Sequence, residues 1–153
     1  MTQNILGEGA FDWNNTAYKI LLSAAESNGS LSITDSVSQP GDGPPRHIHH
    51  DADEAFVVLS GDVTFWLEGT LHKVGPGGAI MVPRGKEHTF HISSDRPSRH
   101  LVILTPGGFE GFFREMADGN YAIPANMQQI TQIAEKYHLT FTGPPLSPEE
   151  IEE

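Results

Sequence analysis

Between Thr16 and Thr105 the apolar residues of this chain come in short runs of alternating phase, cut by Gly, Pro and Asn-Gly. The runs TAYKILLSA, SLSITDSV, EAFVVLSG, DVTFWLEG, TLHKVG, GAIMVP, EHTFHIS and RHLVILTP each have strand length, and most end at a turn residue. Asn28-Gly29 lies between the first two and predicts a tight hairpin turn, because both its central positions need positive φ. Short strands at this spacing with no helical period between them predict an all-β sandwich or barrel. The period changes after Pro106. In GGFEGFFREMADG, Phe109, Phe112, Phe113 and Met116 fall on one helical face, with Gly119 near the end. In ANMQQITQIAEKYHL, Met127, Ile130, Ala134 and Tyr137 do the same, behind Asn126 as a candidate N-cap. The pattern therefore predicts an N-terminal arm (1–15), a β core (16–105), and a C-terminal extension (106–153) with two short helices packed on the core. Its Pro-rich, acidic tail TGPPLSPEEIEE reads as a loosely held end.

Composition narrows the function. The 153 residues are 37% hydrophobic, enough for a core, and 20 Asp+Glu against 9 Lys+Arg give a net charge of -11. No basic stripe exists for nucleic acid, so no nucleic-acid partner is expected. No apolar run is long enough to span a membrane, so no membrane partner is expected either. The start MTQNILGEGAFDWNN has neither basic residues nor an apolar run, which argues against a signal peptide and for a cytoplasmic location. The N-x-S/T matches at Asn14 and Asn28 are read as chance. The absence of cysteine excludes disulfides, thiolate metal ligands and thiol nucleophiles.

The chemistry concentrates in PPRHIHHDADEAFVVLSG. In an extended segment His47 and His49 share a face and His50 points away. After the polar turn HDAD the chain resumes with Glu54, Phe56 and Val58 on one face. A carboxylate turned inward there needs a cationic partner. In HTFHI, His88 shares the apolar face with Phe90 and Ile92, and His91 does not. Three imidazoles and one carboxylate make a donor set suited to one divalent transition metal ion (Fe, Ni, Mn, Co, Cu or Zn). Glu54 is both a ligand and the candidate general base. Phe56, Val58, Phe65, Met81, Phe90, Phe109, Phe112 and Phe113 are candidate walls of an apolar substrate pocket. His50 and His91 read as exposed or interfacial, Arg46 and Arg84 as surface ion-pair partners, and Trp66 as packing or an interface anchor.

These spacings resemble the cupin superfamily. Gly41, five residues, His47-x-His49, four residues, Glu54, six residues and Gly61 match its first motif. Gly77, five residues, Pro83-x-Gly85, two residues and His88 match its second, with Ile92 where the family usually has Asn. The resemblance implies a double-stranded β-helix, or jelly roll, with the ion held by His47, His49, Glu54 and His88, and a homodimer. HHDADEAFVVLSGDVTFWLEG together with TPGGFEGFFREMA is similar to single-domain bacterial cupins of the quercetin 2,3-dioxygenase-like group. That implies a dioxygenase acting with O₂ on a flavonol-like or other enol-bearing aromatic small molecule. A metal-bound binding module without redox turnover and a metal-assisted isomerase are the alternatives. Glu54 argues against a thiol dioxygenase, and the lack of a basic helix-turn-helix against a transcription factor.

Overall fold

The computed structural model describes residues 3–152. All the runs predicted as strands form strands: β2 (Thr16–Leu22), β3 (Ser32–Ser38), β5 (Asp53–Ser60), β6 (Val63–Leu67), β7 (Thr70–Val74), β8 (Ala79–Val82), β9 (His88–Ile92) and β10 (Ser98–Thr105). β4 (Pro45–His49) is the extended histidine segment, and β1 (Phe11–Trp13) and β11 (Leu139–Pro145) add two more. The strands make two antiparallel sheets, in the orders β1-β2-β3-β10-β5-β8 and β11-β4-β9-β6-β7. The sheets pack face to face as a jelly roll. Phe56 of one sheet and Phe65 of the other stand 4.9 Å apart between ring centroids, in a core shared with Val58, Val63, Ile92 and Leu104.

Glycine makes the turns. Gly41, Gly61, Gly77 and Gly85, the spaced glycines of the two motifs, all have φ between 76° and 87°, where a Cβ is strained. Asn28 and Gly29 have the predicted positive φ (55° and 80°). The hairpin is wider than two residues, however. Gly29 N–H bonds the Ala24 carbonyl at 2.7 Å, and Ser27 Oγ the Leu31 carbonyl at 2.6 Å, so the turn occupies residues 23–31.

Both predicted helices form: α2 (Glu110–Gly119) buries Phe112 and Met116, and α3 (Met127–Lys136) buries Ile130 and Ala134. The left-handed stop of α2 is Asn120 (φ 51°) rather than Gly119. Gly119 serves packing instead, since a Cβ there would lie 2.1 Å from the Tyr121 ring. Asn126 precedes α3 but caps no helical N–H; its Oδ1 accepts from Ala122 N at 2.8 Å.

The tail is not loose. Residues 139–145 form β11, paired with β4 in the register Leu139↔His49 and Phe141↔His47. Ser147 then caps α4 (Pro148–Ile151) in a reciprocal capping box with Glu150, and Leu146 and Ile151 are buried. At the other end, the short helix α1 (Gln3–Leu6) brings Leu6 against Ala17 and Val37, outside the main core.

Candidate metal centre

Alternation on β4 buries His47 and His49 and turns Arg46 and Ile48 outward. β9 lies beside it with His88 opposite His47. β5, in the other sheet, presents Glu54 as its first inward residue. Three strands from two sheets thus bring together the four side chains that the sequence singles out. All are buried, and one donor atom from each lies within 4.8 Å of all the others.

The outer ring nitrogens fix the orientation. His47 Nδ1 donates to the Pro45 carbonyl at 2.8 Å and His88 Nδ1 to the Lys86 carbonyl at 3.0 Å, which leaves both Nε2 atoms facing the centre. Glu54 Oε1 lies 2.9 Å from His88 Nε2 and 3.5 Å from His49 Nε2. His49 packs edge-on against Phe109 at 4.4 Å, and its buried Nδ1 has no partner among the described residues.

Electrostatics prepares the set. Burial, together with the neighbouring imidazoles, pushes His47 well below the ordinary histidine range. Burial also lowers His49. His88 is pulled down by burial, but the hydrogen bond and charge of Glu54 more than reverse this and raise it. Burial would raise Glu54; the charge of His49 and the hydrogen bond from His88 overcome it and bring the carboxyl to about 2. Three imidazoles and a carboxylate anion, with His88 Nε2 hydrogen-bonded to Glu54 at the centre, fit a divalent cation, which would take the place of the proton in that bond. Imidazole and carboxylate ligands suit the first-row transition metals, and nothing in the donor set selects one of them.

The centre opens into a cavity that His47, His49 and Glu54 help to line. Of the predicted wall residues, Phe56, Phe90, Phe109, Phe112 and Phe113 line it. Val58 and Phe65 are buried in the core but do not reach it. Met81 is 56% exposed. Its prediction fails on register: Val82 lies opposite Glu54 and Ile80 opposite Phe56, so Met81, opposite Ala55, points outward. His91 is also corrected. It is out of phase with the centre as expected, yet only 8% exposed, because residues 43–44 run along that strand. A Cβ on Gly43 would meet the Phe90 carbonyl at 1.9 Å, and Thr89 Oγ1 donates to the Pro44 carbonyl at 2.7 Å. His50 is exposed and bonds Thr140. Arg46 pairs with Glu150 and stacks over Trp66, and Arg84 pairs with Asp53.

Sequence reasoning missed part of the wall: His100, Ser36, Asp42, Trp13, Tyr18 and Phe141 also line the cavity. For His100 the signal was present, since it shares the phase of Val102 and Leu104 in RHLVILTP. Phe141 and Trp13 lie on strands that no pattern announced.

Comparison with known proteins agrees with this geometry. The Cupin domain family matches residues 36–104. The chain is 29% identical over 101 residues to quercetin 2,3-dioxygenase of Bacillus subtilis, covering 66% of this chain but only 30% of that protein. Among solved structures it is similar to KdgF from Halomonas sp., with a TM-score of 0.60, 19% identity, and coverage of 67% of this chain and 89% of that one. It is also similar to the polyketide cyclase RemF from Streptomyces resistomycificus, with a TM-score of 0.53, 28% identity, and coverage of 63% and 67%. Both motifs and the family match meet in one stretch of chain, residues 36–104 of the two-sheet jelly roll, and that stretch is similar to the Cupin domain.

Proposed function

We propose that the protein is a metal-dependent dioxygenase acting on a flavonol-like or other enol-bearing aromatic molecule. One observation carries the reading: a buried three-histidine, one-glutamate centre opens into a cavity walled by Phe56, Phe90, Phe109, Phe112, Phe113 and Phe141. The likeness to the Bacillus subtilis enzyme supports it. His47, His49, Glu54 and His88 would hold the ion, which when bound supplies a Lewis acid that acidifies an enol or phenol. The aromatic walls orient a flat ring system and exclude water from the centre. Glu54 is the residue that takes up the proton. It is the one anion of the set, and as a carboxylate it can accept a proton while its other oxygen stays in place.

The test is oxygen uptake with quercetin and a panel of flavonols, on protein loaded in turn with iron, nickel, manganese, cobalt and copper. Uptake with at least one of these metals is the expected result. No uptake across the panel would remove the dioxygenase reading. The 28% identity to a polyketide cyclase favours one alternative, a metal-assisted reaction without O₂. Consumption of an enol-bearing substrate under anaerobic conditions would establish it. A homodimer belongs to the same proposal, with Leu59 (44%) and Met81 (56%) as exposed apolar side chains available to an interface. Light scattering at twice the chain mass is expected, and a monomer at micromolar concentration would contradict it.

A further inference from the structure

The inner face of β3 carries a column of hydroxyls, Ser32, Thr34, Ser36 and Ser38, each at most 1% exposed. Ser38 Oγ bonds Thr16 Oγ1 at 3.1 Å, but the oxygens of Ser32, Thr34 and Ser36 have no partner among the described residues. A buried hydroxyl without a partner is costly and calls for a reason. Of these three, Ser36 alone lines the cavity. His100 stands directly opposite it on β10, on the same face and within side-chain reach. His100 is 2% exposed and lines the cavity as well. Its Nδ1 is taken by Ser98 Oγ at 3.1 Å, which leaves Nε2 for the cavity.

We propose that Ser36 Oγ and His100 Nε2 form a second, polar pole of the cavity that hydrogen-bonds a hydroxyl or carbonyl at the end of the ligand remote from the metal centre. A serine hydroxyl and a neutral imidazole together offer one donor and one acceptor, which is what a hydroxyl needs. Burial, which holds His100 at about 4, keeps that ring neutral near pH 7. The spacing follows from register. Glu54 lies opposite Leu104, and His100 is four residues further along β10, roughly 13 Å at the rise of a strand. The Phe56 ring stands between the poles, 6.5 Å from the His88 ring and 6.1 Å from the His100 ring. The ligand class is therefore a flat, mostly apolar molecule with an oxygen function at each end. This rests on the reading above that the cavity takes an aromatic ligand, but it needs neither O₂ nor turnover.

Phenol and toluene differ only by a hydroxyl in place of a methyl group, and they test the polar pole alone. Each is titrated into metal-free ¹⁵N-histidine protein, so that no ion competes for the phenol oxygen, and the His100 ring resonances are followed by NMR. Phenol is expected to shift them and to bind about fivefold or more tighter than toluene, the size of one hydrogen bond. Ser36→Ala is expected to bring phenol to parity with toluene. Ser32→Ala, which removes an equally buried hydroxyl outside the cavity, is expected to leave phenol binding unchanged. Should Ser36→Ala fold poorly, Ser36→Cys keeps the shape with a much weaker hydrogen-bonding group and is expected to lose most of the preference. Equal affinities of the wild type for phenol and toluene, or unchanged phenol affinity in Ser36→Ala, would overturn the proposal. Oxygen uptake with quercetin reports on the dioxygenase reading separately, so either can fail without the other.

Discussion

His100 makes acid stability a quantitative test of the interior. It is 2% exposed, and burial pushes its pKa from the ordinary 6.5 to about 4. The unfolded chain therefore takes up a proton at this residue before the folded chain does. Stability from the neutral ring is fully present above pH 6.5, is lost as pH falls towards 4, and falls no further below that. A shift of this size corresponds to about 3 kcal/mol at full protonation of both states. By the same linkage the loss is roughly 1 kcal/mol at pH 5.5 and roughly 2–3 kcal/mol at pH 4.5. His100→Gln keeps a neutral polar side chain and cannot titrate. Urea unfolding of both proteins, metal-free and at pH 7.0, 5.5 and 4.5, isolates the contribution, because every other group titrates in both. The wild type is expected to lose roughly 2–3 kcal/mol more than the variant between pH 7.0 and 4.5. Parallel stability profiles would refute the claim that His100 is held neutral by burial.

Three further outcomes follow from the geometry. Glu54→Gln removes both the anion of the donor set and the proton acceptor, so at metal content matched to the wild type it should lose turnover in the flavonol assay by roughly 10²–10⁴-fold; wild-type turnover would remove Glu54 as the base. Gly43→Ala places a Cβ 1.9 Å from the Phe90 carbonyl and should cost about 1–3 kcal/mol in denaturant unfolding, whereas an unchanged midpoint would mean that the strand shifts freely there. Ser147→Ala removes the capping box of α4 and should cost about 1 kcal/mol; protease sensitivity rising first at residues 146–152 would place the loss there.

Much of this molecule is legible in its sequence, for physical reasons. A strand buried on one face must alternate, which located the β core and set the phase of His47, His49, Glu54 and His88. The motif glycines were legible through the cupin resemblance, and each takes a positive φ that residues with a Cβ adopt only at a cost. What escaped notice depends on partners distant in sequence. β11 contains Gly143, Pro144 and Pro145, which discourage a strand assignment, yet it is an edge strand, where proline is tolerated. Met81 was assigned to the wrong face of a four-residue strand, where only the register with Glu54 and Phe56 decides. His91 was phased correctly, but the approach of residues 41–44 alongside its strand cannot be read from local pattern. Ser36 and His100 were in phase too; that they meet across β3 and β10 beside a cavity is a fact of topology alone.

The central claim is that His47, His49, Glu54 and His88 together hold one divalent transition metal ion. Elemental analysis of protein loaded with metal and then desalted tests it most directly, in the wild type and in His49→Ala and His88→Ala. The account predicts about one ion per wild-type chain and loss of most of it in each variant, with both variants folded by circular dichroism. Full occupancy in both variants, or a wild type that retains no ion under any loading condition, would contradict it.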